Sequence, residues 1–306
     1  MTHGVLVVDK PRGPTSHDVV AWARRALGTR AVGHAGTLDP MATGVLVLGI
    51  GEGTKLTPYL MSEDKGYETT IVLGAETDTL DAEGRVTSEH DVPALDRARV
   101  EAACARFVGT YLQRAPAVSA IKKDGVALHE RVRRGEDVEA PEREVRCDAI
   151  DVLDVRAREI DLRVRCGKGF YVRSLGRDLA RALGTGGHLG VLRRTRSGAF
   201  SVDDALSGEL LQRARGGDED ARAQVRASLR SLEGALSTIT RLDVGVSGAR
   251  ELRHGRAFRI EEPAVREPIA ALDEAGELVA IVRWNEGALR VVRGFAPRTK
   301  SAEDAT

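Results

Sequence analysis

This chain has little that would hold a metal, form a disulfide or enter a membrane. Its 306 residues include three cysteines, Cys104, Cys147 and Cys166, with no C-x-x-C pair and no histidine at ligand spacing. That scatter argues against a structural zinc site and against a disulfide framework. The longest uncharged apolar run, 40–51, is shorter than the roughly 17–25 residues a helix needs to cross a bilayer. The N-terminal Met1-Thr2-His3-Gly4 lacks the charged and apolar regions of a signal peptide, so a cytoplasmic protein is expected. Net charge is missing too. With 46 Lys+Arg against 46 Asp+Glu, binding to nucleic acid by bulk charge is excluded, and any such binding rests on local patches. Aromatic residues are scarce at 4%, and lysine supplies only 7 of the 46 basic residues, which leaves 39 arginines as planar forks for phosphate or carboxylate.

What is present suits two folded domains, since the length and the 42% hydrophobic content allow each a core. Apolar runs at 5–8 and 45–48 read as buried strands, and Ser16 with Asp18 caps a helix carrying Val19, Val20, Ala23, Ala26 and Leu27. A glycine-punctuated loop over 28–44 follows that helix. Further strands are expected at 67–73, 145–155 and 160–166, with helices at 94–107 and 172–183. The alanine-rich stretch 207–236, broken at Gly216-Gly217, reads as a helical insertion or linker. Beyond 241 a short helix at 247–254 precedes strands near 269–272, 278–284 and 289–294, the last two joined at Asn285-Glu286-Gly287. The expected class is α+β, with a mixed or antiparallel sheet in a domain spanning 1–240, a small β-rich domain at 241–297 and a loose tail at 298–306.

Two segments look chemical. The loop 33–44 presents His34 and Asp39 on a backbone with three glycines, suited to close approach by a ligand; an ordinary turn with Asp39 bonding its own backbone is the competing reading. The run 166–173 ends a strand and opens a helix within the most basic part of the chain, where backbone amides with Lys168, Arg173 and Arg177 suit a phosphate or a carboxylate. Its competing reading is a solvated positive face over Phe170 and Tyr171. Neither 49–55 nor 184–189 has the spacing of a nucleotide loop, which sets aside nucleotide hydrolysis and a Rossmann cofactor.

Taken together, 4–16, the pattern Gly-His-x-Gly-x-Leu-Asp-Pro-x-Ala-x-Gly at 33–44, Asp64-Lys65-Gly66-Tyr67, Thr77-Asp78-Thr79-x-Asp81-x-x-Gly84, Ser119-Ala120-Ile121-Lys122, Lys168-Gly169-x-Tyr171-Val172-Arg173 and Leu192-Arg193-Arg194 strongly resemble the TruB-type tRNA pseudouridine synthases. The resemblance spans 4–200, and the C-terminal part is similar to that family's small PUA-like RNA-binding domain. The chain departs from the family at 115–118 and at His129, where a tyrosine is common. The resemblance implies isomerisation of one uridine to pseudouridine at position 55 in the tRNA T-loop, with no metal or other cofactor. It implies Asp39 as nucleophile, Tyr67 stacking on the target base and assisting proton removal, and Arg173 pairing with Asp39. His34 would support the flipped nucleotide, Leu192 would line the pocket, and Lys10, Lys168 and Tyr171 would bind substrate. The partner implied is the T-arm of tRNA, bound by a monomer with no obligatory protein partner and no membrane. The rival readings are a guide-RNA-dependent enzyme of the dyskerin branch and a non-catalytic RNA-binding or RNA-folding protein.

Overall fold

Two apolar runs decide how the layers stack. In a computed structural model, Gly4–Lys10 and Thr43–Ile50 pair antiparallel with Leu6 opposite Leu48 and Val8 opposite Leu46. Side chains alternate between the faces of a strand. Leu6, Val8, Leu46 and Leu48 therefore enter one core, while Val5, Val7, Val45 and Val47 enter another on the opposite side. A run with no polar alternation is what a strand covered on both faces requires. The structure describes residues 2–297 apart from 120–121, 124–125, 129–130, 132–133, 135, 137–139, 237, 262 and 264–266. Ala120, Ile121, His129 and the tail 298–306 thus lie outside the described residues.

These two strands sit in a ten-stranded sheet whose main path runs Leu206–Ser207, Gly4–Lys10, Thr43–Ile50, Gly187–Ser197, Lys65–Leu73, Glu159–Cys166, Glu142–Val155 and Gly109–Arg114. Pairing along the path is antiparallel except at Leu206–Ser207 on Gly4–Lys10 and at Gly187–Ser197 on Thr43–Ile50, so the sheet is mixed, in keeping with the α+β expectation. Helices Ser16–Leu27, Arg97–Ala105, Val172–Ala182, Gly208–Arg215 and Glu219–Ala227 contribute buried side chains to the core on one face.

Local chemistry corrects several expected boundaries. Thr15, not Ser16, is the N-cap of Ser16–Leu27: its hydroxyl accepts from the Asp18 amide at 3.1 Å, and the Asp18 carboxylate accepts from the Thr15 amide at 2.8 Å. The helix expected over 94–107 is shorter, Arg97–Ala105, because Asp96 caps it through the Arg99 amide. The loop 28–44 contains a three-residue strand, Val32–His34, too short to show an alternation. The stretch 207–236 forms two helices split at Gly216-Gly217. They pack on Ser16–Leu27, with Leu211, Ala214, Ala221 and Val225 fully buried in the main core, so this stretch is built into the body of the fold.

C-terminal to this body, Thr240–Asp243, Ile269–Leu272, Leu278–Asn285, Ala288–Gly294 and Phe258–Arg259 form a five-stranded sheet in that order. Its tight turn is Glu286-Gly287, with φ of 49° and 78° between the paired Asn285 and Ala288. Two successive positive φ values mark the turn whose twist matches a hairpin. Ala270, Leu278, Ile281 and Phe295 from this sheet belong to the same core as Val5, Val7, Val45 and Val47.

Candidate active site

Asp39 stands on the loop between Val32–His34 and Thr43–Ile50, and three buried side chains fix that loop. Freed from capping, the Ser16 hydroxyl donates to the Leu38 carbonyl at 3.0 Å and accepts from the Leu38 amide at 2.8 Å. The Lys10 ammonium donates to the carbonyls of Ala42, Pro11 and Pro40 at 2.7, 3.0 and 3.2 Å. Arg194 donates through Nε to Val45 O at 2.7 Å, through Nη2 to Gly36 O at 3.1 Å and through Nη1 to Thr37 O at 3.3 Å. Gly44 closes the loop at φ +100°, and a Cβ there would lie 2.1 Å from the Arg194 carbonyl oxygen. The close approach that this glycine permits is to a neighbouring strand.

Across from the loop, Arg173 rises from the first turn of Val172–Ala182. Its Nε lies 2.9 Å from Asp39 Oδ2, and its Nη2 donates to Asp39 Oδ1 at 3.2 Å. The remaining donors meet Thr79 O at 2.9 Å and Val118 O at 3.1 Å, while the buried Asp81 carboxylate lies 3.7 Å from Nη1. The arginine side chain is 6% exposed and the aspartate 32%, so the pair has one member inside and one at a surface. Asp39 therefore does not spend its carboxylate on its own turn.

That surface is the wall of a cavity of about 280 Å³, lined by Asp39, Tyr67, Tyr171, Arg173, Leu192 and Lys65 among others, with the exposed Lys168 also on its lining. The geometry thus gathers Asp39, Tyr67, Arg173, Tyr171, Leu192 and Lys168 at one place. It leaves out Lys10 and His34. Lys10, expected to bind substrate, is fully buried behind the Asp39 loop and holds its carbonyls. His34 is half-buried beside His17, ring edge to face at 5.2 Å, and its buried Nδ1 has no hydrogen-bond partner among the described residues. His188, read as a packing residue, donates from Nδ1 to Ala75 O at 2.9 Å outside the cavity.

Burial sets the electrostatics. It pushes the Tyr67 phenol above its ordinary pKa, against the opposing influence of the Arg194 charge, and does the same to Tyr171. Tyr67 is therefore held as a neutral phenol. Lys10 and Lys65 are each lowered to about 8 by desolvation, and the Asp39 charge partly offsets this for Lys10. His34 is lowered by burial first and then by the nearby His17.

Sequence reasoning did not single out Ser16, Asp81, Arg194 or Lys65 for the site. All four lie in the motif segments that carry the resemblance, but nothing in the spacing says that Arg194 turns inward to hold carbonyls, or that Lys65 is 6% exposed at the cavity wall.

Comparison with known proteins bears on this arrangement. The model of the TruB family pseudouridylate synthase N-terminal domain matches residues 24–172. The tRNA pseudouridylate synthase B C-terminal domain matches 173–237, and the tRNA pseudouridine synthase II C-terminal domain matches 240–296. The tRNA pseudouridine synthase B of Ralstonia pickettii is 43% identical over 305 residues, covering 95% of this chain and 93% of that protein. That of Corynebacterium efficiens is 42% identical over 300 residues, covering 97% of each. Among solved structures, a chain of a Cbf5-Nop10-Gar1 complex has a TM-score of 0.75 at 26% identity, covering 96% of this chain and 85% of that one. A chain from an H/ACA RNP bound to a substrate RNA containing 2′-deoxyuridine has a TM-score of 0.74 at 25% identity, covering 96% of this chain and 86% of that one.

Proposed function

The chain belongs to the TruB family of pseudouridylate synthases, and from that premise we propose that it isomerises uridine to pseudouridine at position 55 in the T-loop of tRNA, with Asp39 as its nucleophile. That it is a tRNA pseudouridine synthase follows from the family and from relatives of that name matched over nearly their whole length. The observation that carries the assignment of Asp39 is its position: a carboxylate on the wall of a nucleobase-sized cavity, gripped by a buried arginine and faced by a tyrosine.

The reaction breaks the N1–C1′ bond, turns the uracil and joins C5 to C1′; C5 loses a proton and N1 gains one, so nothing is consumed. A uridine stacked in a folded loop must first turn out, at a cost of a few kcal/mol. The cavity receives it between Tyr67, Tyr171 and Leu192. The Asp39 carboxylate then acts on the sugar or the base as nucleophile. Arg173 keeps that carboxylate ionised and aimed when the base displaces water from it. Because burial raises the Tyr67 pKa, its hydroxyl serves as a neutral hydrogen-bonding group and its ring as a stacking face. Lys168 and the exposed basic residues of the stretch over 163–196, Arg173 and Arg194 apart, hold phosphates. On this reading 1–240 carries the chemistry, 241–297 adds PUA-like RNA contacts, and the enzyme works as a cytoplasmic monomer without an obligatory partner. Among the described residues no helix is long and apolar enough to cross a membrane.

Purified protein incubated with unmodified tRNA transcript tests the reading. Pseudouridine at position 55, formed without added protein or guide RNA and lost in Asp39→Asn, supports it. A requirement for guide RNA would favour the guide-dependent rival, and binding without conversion would favour the RNA-folding one. The ribonucleoprotein structures share this fold at 25–26% identity, below the 42–43% of the bacterial synthases, so the standalone enzyme is preferred.

A further inference from the structure

Four cations line the Asp39 cavity: the exposed Lys168 and three buried ones, which differ in what they still have to give. Arg173 directs its donors at Asp39, Thr79 O and Val118 O. Arg194 directs Nε, Nη1 and Nη2 at three backbone carbonyls. Both guanidinium groups are committed to holding protein. Lys65 is not. It opens the strand Lys65–Leu73, two residues before Tyr67, and its ammonium donates to Glu63 O at 2.6 Å. Among the described residues it has no other hydrogen-bond acceptor and no carboxylate at ion-pair distance. An ammonium has three N–H donors. Its Cε also lies on the cavity side of the Asp39 loop, 4.0 Å from where a Cβ on Gly36 would stand.

A buried cation without a counter-ion is costly unless something arrives to meet it. The isomerisation supplies such a group. When the N1–C1′ bond breaks, its electron pair leaves with the uracil and spreads over N1, O2 and O4; attack at C6 would likewise send charge to O4. Asp39 has the wrong sign to receive that charge, and the two arginines are already occupied. We propose that Lys65 is a catalytic residue of this reaction, its ammonium donating to a uracil carbonyl oxygen and neutralising the negative charge as the glycosidic bond opens. Lys65 keeps its proton throughout. The proton lost from C5 and the one gained at N1 balance as before, whichever route Asp39 takes. This inference rests on the proposed function.

The test is single-turnover conversion of saturating unmodified tRNA, with Kd measured separately, for wild type, Lys65→Met and Lys65→Arg. Removing one donor aimed at a developing oxyanion costs about 100-fold or more. Lys65→Met should therefore lose about that factor in rate with Kd changed by no more than about threefold, and Lys65→Arg should recover part of the loss. The pH profile separates this from a structural role. The groups facing Lys65 are Arg194, Glu63, Cys166 and Asp64, with Asp39, Arg173 and Tyr67 across the cavity; burial pushes the Cys166 thiol and the Tyr67 phenol up, away from neutrality. As pH rises through about 8, Lys65 loses its charge and the wild-type rate should fall. In Lys65→Arg that fall should move to higher pH, and in Lys65→Met it should vanish at a low constant rate. Lys10, also lowered to about 8, could produce a fall of its own. A fall unchanged in Lys65→Arg therefore belongs to Lys10 and overturns the proposal. So does a Lys65→Met protein that binds less tightly but converts bound tRNA at the normal rate. If Lys65→Met fails to fold, the rate and profile of Lys65→Arg still decide. A wild type that makes no pseudouridine, or an Asp39→Asn variant that makes it normally, would instead sink the functional reading beneath.

Discussion

Arg173 and Asp39, 134 residues apart in sequence, meet through two contacts, Nε to Oδ2 at 2.9 Å and Nη2 to Oδ1 at 3.2 Å. Each carboxylate oxygen has its own donor, which fixes the plane of the carboxylate as well as its charge. Lysine offers a point charge on a flexible stem and cannot reproduce the fork. Arg173→Lys should bind tRNA nearly as wild type and slow the single-turnover step by about tenfold or more. Arg173→Ala leaves the carboxylate unpaired and should slow it by about two orders of magnitude, somewhat less than the roughly 3–5 kcal/mol for breaking a fully buried pair because Asp39 is 32% exposed. If both variants weaken binding and convert bound tRNA normally, Arg173 acts on phosphate instead.

Asp39→Asn separates shape from charge. The amide can keep a contact to Arg173, and the loop is anchored through Ser16, Lys10 and Arg194, none of which uses the Asp39 side chain. Melting temperature and tRNA affinity should stay near wild type while pseudouridine formation is lost. Tritium release from 5-³H-uridine tRNA checks the chemistry, and filter binding checks the affinity.

Much of this was legible beforehand, for physical reasons that can be named. The runs at 5–8 and 45–48 read as buried strands because both of their faces are covered; the glycines of the 33–44 loop fit an ordinary turn equally well, and Asp39 stood out through the resemblance that its loop carries. What resisted were features set by distant partners. Lys10 is expected among the substrate-binding residues, but Pro40 and Ala42 return over it and take its ammonium. Ser16 looks like a cap until Thr15 takes that role and leaves its hydroxyl for Leu38. The helices at 208–227 read as a linker because their exposed faces are heavily charged, while the four residues that bury them, Leu211, Ala214, Ala221 and Val225, are small or sparse. Composition does not reveal where such a stripe docks.

Lys10→Met tests whether the buried ammonium matters as a clamp. Methionine fills similar space but leaves three carbonyls without this donor, at about 1–3 kcal/mol for each group left unsatisfied. The variant should melt lower and turn over more slowly, with tRNA affinity little changed. Its pH dependence has a definite sign. Lys10 in the folded protein titrates at about 8, below the ordinary 10.5, so between these values the unfolded chain binds more protons. Its contribution therefore makes stability rise with pH across that window and is constant outside it. Between pH 7 and 11 denaturant titrations should therefore show stability gaining less, or falling more, in Lys10→Met than in wild type; Lys65 adds in the same direction as Lys10, while the Cys166 thiol and Tyr67 phenol, pushed up by burial, act in the opposite one in both proteins.

Removal of the C-terminal sheet is the last test, and here the packing revises a simple expectation. A domain that only added phosphate contacts could be deleted at a cost in affinity alone, with a shallower salt dependence of binding. The five-stranded sheet does more than sit beside the body: Ala270, Leu278, Ile281 and Phe295 share a core with Val5, Val7, Val45 and Val47, the outward-facing halves of the two strands that flank the Asp39 loop and its Lys10 clamp. Fully burying one such side chain contributes about 1.5–3 kcal/mol. Leu56, Leu60, Leu232 and Leu236 remain to cover part of that face, so the loss is a fraction of the four-valine total. A chain ending at residue 239 should therefore melt several degrees lower and bind a hydrophobic dye that the whole protein does not bind. Its single-turnover rate at saturating tRNA, measured well below the new melting point, should remain within about tenfold of wild type, because the residues lining the cavity all precede 195. An unchanged melting temperature would mean that the two sheets are energetically independent. A truncated protein that is folded and saturated with tRNA yet inactive would mean that the second sheet takes part in placing the target uridine.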